Sequence, residues 1–357
     1  MTYTRIDVSL AKGAYPVFCG SGLLARGDIW KPFVGTGQVA VISNNRVLSL
    51  HGDGMTQQVK AKTVILPDGE EHKNFKTLEI ALDELAAMEM RRDGTVIALG
   101  GGVIGDTAGF AAASYMRGVR LLHMPTTLLA QVDAAIGGKT GVNRPHGKNM
   151  VGAFYQPVAV VCDTSTLATL PSREYVAGLA EIVKYALLGD APFFVWLEDN
   201  VVALLAQEPT AVRHVVETSV RAKAVIVAAD EHEIGDLRVL LNLGHTFAHG
   251  IENVAGYGAW LHGEAVAVGM VAAARLSEKM CGFVAADTAR IIALLRRLQL
   301  PYAFPNIDTD TLLCAMRADK KHAANKLHFV VMEAVGRART IEIDDETPVR
   351  QTIEEMR

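Results

Sequence analysis

The alternation of short apolar runs with helical stretches over residues 1–172 limits the folds open to this chain more than any other feature. Residues 38–43, 63–66, 95–99, 119–124 and 158–162 are runs rich in Val, Ile and Leu. Between two of them, segment 77–90 carries Leu78, Leu82, Leu85 and Met88 on one helical face. Strands buried on both faces read as continuous apolar runs, so the pattern predicts a mainly parallel sheet covered by helices. After Leu170-Pro171-Ser172 the texture changes. Residues 174–188, 193–205, 211–229, 245–254, 264–280 and 287–298 all carry helical patterns, with little strand signal between them. Near the end, 327–332 and 338–343 read as one hairpin across Gly336. The expected architecture is an α/β domain over 1–172 and a helical domain over 173–357. A site that needs several groups is expected in the cleft between them.

The charge balance narrows the functions. With a formal net charge of −4 and no block of like charges, the chain lacks the electrostatic footprint of a general nucleic-acid binder. Any positive charge for an anionic ligand must therefore be placed locally. Cys19, Cys162, Cys281 and Cys314 lie far apart, which argues against a disulfide framework or a cysteine zinc site and for reduced thiols. The start, Met1-Thr2-Tyr3-Thr4-Arg5-Ile6-Asp7, has no basic region followed by an apolar run. No apolar stretch reaches the ~18 residues of a membrane span. The expectation is a cytoplasmic protein with no nucleic-acid or membrane partner.

Gly100-Gly101-Gly102-Val103-Ile104-Gly105-Asp106 directly follows the run 95–99 and precedes a helical stretch. Glycines there let backbone N–H groups approach a pyrophosphate, and a helix N-terminus adds partial positive charge. A glycine-rich turn without a ligand is the competing reading, because the spacing is not the usual dinucleotide fingerprint. Thr126 and Thr127 stand at the end of the next run and supply either further donors or a helix cap. The stretch from Gln131 to Asn143 contains Gly137-Gly138-Lys139 but lacks P-loop spacing. Followed by Gly147-Lys148-Asn149, it offers lysines and an amide beside flexible backbone. That suits an anionic polyol, or simply a solvated loop.

The sharpest constellation is a set of metal-ligand types. His245 and His249 stand four apart and share a helix face. His262 follows thirteen residues after His249, and Glu181 and Lys184 lie upstream on one helical face. Imidazole and carboxylate groups suit Zn²⁺ or a similar ion, and three protein ligands leave a position open. Thr246 occupies the place of the glutamate in the His-Glu-x-x-His pattern, which counts against peptidase chemistry. Packing or capping histidines are the alternative. Lys184, Lys223, Arg238, Asn242 and Lys320-Lys321 add cations and an amide in the same half. Each taken singly reads as a solvated surface group, but Arg238 and Asn242, four apart just before His245, are harder to read that way.

Taken together, the motifs resemble the 3-dehydroquinate synthase family. The resemblance is carried by Pro67-Asp68-Gly69-Glu70-Glu71-His72-Lys73, the glycine run to Asp106, Tyr115-Met116-Arg117-Gly118-Val119 and Pro125-Thr126-Thr127-Leu128-Leu129-Ala130-Gln131-Val132-Asp133. It continues through Gly147-Lys148-Asn149-Met150, Gly178-Leu179-Ala180-Glu181, Leu241-Asn242-Leu243-Gly244-His245-Thr246 and Trp260-Leu261-His262-Gly263-Glu264. The matches run in order over about residues 64 to 321.

The resemblance implies a Rossmann-like N-terminal domain, an all-helical C-terminal domain, a tightly held NAD⁺ and one Zn²⁺ or Co²⁺ ion. Glu181, His245 and His262 are the implied metal ligands. Asn44, Asp68, Gly69, Glu70, Glu71, His72, Lys73, Gly101, Gly102, Val103, Ile104, Gly105, Asp106, Thr126, Thr127, Lys139, Lys148, Thr166, Leu167, Ala168, Thr169 and Glu174 are implied to hold the cofactor. Asp133, Lys139, Asn149, Lys184, Lys223, Arg238, Asn242, His249, Lys320 and Lys321 are implied substrate-side residues, and Arg117 is implied to reach the partner's site in a homodimer. The implied reaction turns 3-deoxy-D-arabino-heptulosonate 7-phosphate into 3-dehydroquinate and phosphate in the shikimate pathway. It runs by transient oxidation at C5, phosphate elimination, re-reduction, ring opening and aldol closure.

Three departures stand out. Glu233-Ile234-Gly235-Asp236-Leu237-Arg238 is one residue longer than the usual spacing. Ala248 and Gly250 exchange the customary residues around the second histidine, and His322-Ala323-Ala324-Asn325 lacks a customary glycine. The competing readings are cyclases for sedoheptulose 7-phosphate or glucose 6-phosphate, a metal-dependent polyol dehydrogenase, and a non-catalytic anion-binding module. Retention of Arg238, Asn242 and His249 favours the carboxylate-bearing substrate.

Overall fold

The computed structural model describes residues 3–145, 147–256, 258–319 and 327–357. The chain forms two compact units, Met1–Tyr175 with Val212–His232, and Val176–Ala211 with Glu233–Arg357.

The first unit is built on a seven-stranded sheet. Its strands are β1 (Thr4–Leu10), β2 (Gly13–Gly20), β3 (Val39–Ser43), β4 (Lys62–Ile65), β5 (Thr95–Gly100), β6 (Arg120–Pro125) and, later in the chain, β9 (Ala159–Asp163). The order is β1-β2-β9-β6-β5-β3-β4, parallel throughout except for the β1–β2 hairpin at one edge. Every residue of β3, β5 and β9 is buried, which is why each reads in sequence as an unbroken apolar run. The helices Phe75–Ala87 and Gly102–Ser114 cover the sheet, with Leu78, Ala81, Leu85, Ile104, Ala108 and Ala111 in one continuous core. The parallel, Rossmann-like expectation for this half holds.

Two elements were not legible in the sequence. In β1 only Ile6 and Val8 are buried, so the edge strand has no apolar run. The stretch from Lys139 to Phe154 forms a second, two-stranded antiparallel sheet, β7 (Lys139–Arg144) with β8 (Gly147–Phe154), and not a solvated loop. Thr140, Gly141, Val142 and Asn143 are buried, and the hydroxyl of Thr140 donates to the carbonyl of Ala153 at 2.8 Å.

The segment Val212–His232 groups with the first unit although it follows residue 172. The Lys223 ammonium there donates to the Asp133 carbonyl at 2.7 Å and carboxylate at 2.8 Å, and Gln156 donates to Glu231 at 3.2 Å.

The second unit is mainly helical, as expected. Its middle is the helix His262–Cys281, buried without interruption from Ala265 to Ala274. The expected helix 193–205 is two helices, Ala191–Asp199 and Val201–Leu205, separated at Asn200. A hairpin, β10 (Leu327–Ala334) with β11 (Arg337–Ile343), turns at Gly336, whose φ of +82° suits glycine. Among the described residues no helix is long and apolar enough to cross a membrane.

Candidate functional site

In the first unit, the strand order reverses between β3 and β5. Ligands of open parallel sheets gather outside the carboxyl ends of strands at such a point. The carboxyl ends are stitched together there, because the Ser43 hydroxyl donates to the Leu99 carbonyl at 2.7 Å. Asn44 follows β3 and caps the next helix, accepting from the Val47 amide at 2.8 Å. Gly101 stands in extended conformation before the helix Gly102–Ser114, so Gly102, Val103, Ile104, Gly105 and Asp106 form its first turn and a half. The first N–H groups of a helix have no intrahelical partners, and they open here at the switch point. Thr126 donates its amide to the Gly100 carbonyl at 3.0 Å, and Thr127 accepts from the Ala130 amide at 3.2 Å as a cap.

Beside this turn lies a polar network. Lys73, only 4% exposed, bonds the Asp106 carboxylate and donates to Asn149 Oδ1 at 2.6 Å. Asn143 donates to Glu70 Oε1 at 2.7 Å and accepts from the Asn149 amide at 2.9 Å. It thereby holds Asn149 in the left-handed conformation, φ +53°. Asn143 carried no assigned role in the sequence, since its bonds to residues 70 and 149 exist only after folding.

Asp68, Gly69, Glu71 and His72 form the half-exposed loop that leads into Lys73. Thr166, Leu167, Ala168 and Thr169 form a 3₁₀ turn after β9, bonded to Gln131 and His51 through Thr166 and Thr169 at 3.2 and 2.9 Å. Glu174 is exposed near the start of the helix Ser172–Gly189.

Not all the expected residues converge. Lys139 opens β7 whereas Lys148 lies near the turn between β7 and β8, so they sit at opposite ends of the ladder, about 13 Å apart at ~3.3 Å per residue. Arg117 is exposed in a left-handed turn with Met116 and Gly118, at the amino end of β6 and away from the switch point. Lys320 and Lys321, and the departure at 322–325, lie outside the described residues.

In the second unit, three helices bring a carboxylate and two imidazoles together. Glu181 lies on Ser172–Gly189, His245 and His249 on His245–Ala255, and His262 opens His262–Cys281. Two glycines set these approaches. A Cβ on Gly263 would stand 1.8 Å from the Ala177 carbonyl oxygen, one turn before Glu181. Gly244 has φ +79°, and a Cβ there would meet the Met270 amide nitrogen at 2.7 Å.

The ligand-type atoms of Glu181, His245 and His262 all lie within 4.8 Å of one another. His262 Nε2 is 3.5 Å and His245 Nε2 3.7 Å from Glu181 Oε1. Tetrahedral donors at ~2.1 Å from one ion are about 3.4 Å apart, so the set fits a small divalent cation. Both rings are held from behind. His245 Nδ1 lies 3.2 Å from the Leu243 carbonyl and His262 Nδ1 lies 3.3 Å from Glu252 Oε1. His249 packs edge-on against His245 at 5.6 Å between ring centres, beside the cluster and not in it.

Lys184 pairs with Glu181 where both are buried. Burial, and behind it the Lys184 ammonium, holds His245 neutral with its pKa down to about 3. Burial would lower His262 too, but the Glu252 and Glu181 carboxylates outweigh it and raise that pKa to about 10. Arg238 is 1% exposed on the short helix Asp236–Val239, and Asn242 closes the next turn. In the stretch before Arg238, Ile234 projects with 89% exposure. Glu252 was missed in the sequence, although it stands seven residues after His245 on the same helical face.

Fold and cluster together define a class: a Rossmann-like unit and a helical unit that carries a candidate metal centre. The family model for the 3-dehydroquinate synthase N-terminal region matches residues 63–177, and that for its C-terminal region matches 178–322. A 3-dehydroquinate synthase of Hydrogenovibrio crunogenus is 49% identical over 93% of this chain and 94% of its own length. The chain belongs to the 3-dehydroquinate synthase family. Among solved structures, 2-epi-5-epi-valiolone synthase from Streptomyces hygroscopicus, with NAD⁺ and Zn²⁺ bound, is 29% identical. It superposes with a TM-score of 0.89 over 98% of both chains. A 2-deoxy-scyllo-inosose synthase complexed with carbaglucose-6-phosphate, NAD⁺ and Co²⁺ is 26% identical, with a TM-score of 0.90 over 99% of this chain and 100% of its own.

Proposed function

We propose that this chain converts 3-deoxy-D-arabino-heptulosonate 7-phosphate into 3-dehydroquinate and phosphate, a carbon–oxygen lyase and cyclisation step of the shikimate route to aromatic amino acids. The observation that carries the reading is the Glu181–His245–His262 donor set, Glu181 buried and both histidines partly buried, with the histidines held at Nδ1 so that Nε2 faces the carboxylate. Residues 1–172 are assigned to NAD⁺ and 173–357 to the metal and substrate. The open first turn at Gly101–Asp106 suits a pyrophosphate, and the donor set suits Zn²⁺ or Co²⁺. When bound, the cofactor exchanges one hydride with the substrate while the ion polarises the substrate oxygen as a Lewis acid. The NAD⁺ and metal of the two related cyclases support this assignment.

The chain's own residues position the substrate and manage its charge. Arg238 offers a guanidinium fork to the carboxylate, and Asn242 and His249 flank it. Lys223 neutralises and orients Asp133, and Lys184 does the same for Glu181. Lys73 ties Asp106 on the cofactor side to Asn149 on the substrate side. Lys139, Lys320 and Lys321 are the candidate phosphate clamps, and Lys148 is assigned to the cofactor. We assign the chain to the cytoplasm as a homodimer in which Arg117 serves the partner's site.

The test is phosphate release from the heptulosonate at substoichiometric NAD⁺. Many phosphates per NAD⁺ with no net NADH is the expected result. One NADH per substrate would make the chain a polyol dehydrogenase instead, and a preference for sedoheptulose 7-phosphate would overturn the substrate assignment.

A further inference from the structure

The two histidines of the cluster are held from behind by different groups. Leu243 supplies a backbone carbonyl to His245 Nδ1, whereas a side chain, Glu252, faces His262 Nδ1 at 3.3 Å. Glu252 is 5% exposed on the helix His245–Ala255, and His262 opens the following helix, so the contact joins two elements. The family assignment needs only Glu181, His245 and His262 for the ion, and leaves a buried carboxylate beside them without a task.

We propose that Glu252 is a positioning residue that sets the tautomer and orientation of His262 for metal binding. An ionised carboxylate has only acceptor atoms, so it admits one partner at Nδ1, an N–H. In the neutral ring, the form that can bind a cation, that places the lone pair on Nε2, the nitrogen 3.5 Å from Glu181 Oε1. A ring free to turn, or to carry its proton on Nε2, would point an N–H at the cation. Carboxylates behind metal-ligating imidazoles act in this way, and their loss weakens metal binding roughly 10- to 100-fold. A glutamine at 252 can turn its amide and donate to Nδ1, which permits the unproductive tautomer. A carboxamide therefore preserves shape and burial but not the constraint.

The inference rests on the reading of Glu181, His245 and His262 as metal ligands, and the experiment separates the two. Full-length protein is stripped with a chelator, loaded with NAD⁺ and titrated with Co²⁺ while the visible absorption of the ion is followed. Wild type, Glu252→Gln, Glu252→Ala and His262→Ala are compared, with NAD⁺ affinity as the measure of intact folding. The expected order of Co²⁺ affinity is wild type, then Glu252→Gln lower by about 3- to 10-fold, then Glu252→Ala lower by about 10- to 100-fold. The absorption band should also change in both Glu252 variants. His262→Ala should bind Co²⁺ most weakly. If Glu252→Ala does not fold, Glu252→Gln decides alone. A Glu252→Gln protein with wild-type Co²⁺ affinity and band overturns the positioning role. Wild type that takes up no Co²⁺, or His262→Ala that binds like wild type, overturns the metal-ligand reading itself.

Discussion

Replacing Gly263 with alanine tests whether backbone contact between helices sets the metal geometry. The new Cβ would stand 1.8 Å from the Ala177 carbonyl oxygen and 2.5 Å from its carbon. Both obstacles are backbone, so no rotamer change relieves them. An ordinary contact, which begins at about 3.4 Å, requires the two helices to part by roughly 1.6 Å. Ala177 is one turn before Glu181 and Gly263 is next to His262, so this movement displaces the two donors relative to one another. A shift of that size carried fully to the donors would open the 3.5 Å from His262 Nε2 to Glu181 Oε1 to about 5.1 Å. Two donors bound to one ion at ~2.1 Å cannot be more than about 4.2 Å apart. We expect Gly263→Ala to lose at least tenfold in Co²⁺ affinity and about 1–3 kcal/mol in stability from overpacking. The assays are Co²⁺ titration of chelator-treated protein and urea unfolding of the metal-free form. Gly189→Ala is the control, because a Cβ there meets nothing within 4 Å: Co²⁺ affinity should stay unchanged and stability should not fall, since alanine favours a helix over glycine. Wild-type Co²⁺ affinity and stability in Gly263→Ala would refute the claim that this contact sets the site.

The same contact shows where sequence reasoning stops. β3, β5 and β9 were legible because every residue in them is buried, which leaves an unbroken apolar signature. β8 was not, since none of its eight residues is buried and its apolar stretch from Met150 to Phe154 is interrupted by Gly152. His245 and His249 announced a helix face by their spacing, but nothing local tells which of the two meets Glu181. That choice depends on the left-handed turn at Gly244 and on the approach at Gly263, contacts made to residues 270 and 177. The start of the last site helix shifted for a local reason. Its first residues, His262 and Gly263, carry no apolar periodicity, while the Leu261 amide donates to Glu264 Oε2 at 2.9 Å and fixes the N-terminus two residues before the pattern begins. Glu252 and Asn143 belong to the same category, polar residues whose partners are assembled by the fold.

Two further outcomes are expected. Arg238→Ala should lower kcat/KM for the heptulosonate by roughly 10²-fold, about 2.7 kcal/mol, because Arg238 is buried and its loss leaves the substrate carboxylate unmatched. Unchanged kcat/KM on the heptulosonate would show that no carboxylate clamp exists there. The second concerns His123, which lies in β6 at 5% exposure, with its ring beneath Gly105 of the glycine-rich turn. Burial lowers its pKa from 6.5 to about 4. The folded chain thus refuses a proton that the unfolded chain accepts, and stability rises with pH wherever the unfolded state binds more protons. The stability contributed by neutral His123 is complete above pH 6.5 and is lost as pH falls through that value towards 4. At pH 5 the loss from this one group is about 2 kcal/mol, since one pKa unit is about 1.4 kcal/mol. Urea unfolding of metal-free wild type and His123→Gln at pH 7 and pH 5 measures it directly. The variant should lose about 2 kcal/mol less than wild type between the two pH values, and equal losses would mean that the imidazole already takes up its proton in the folded chain.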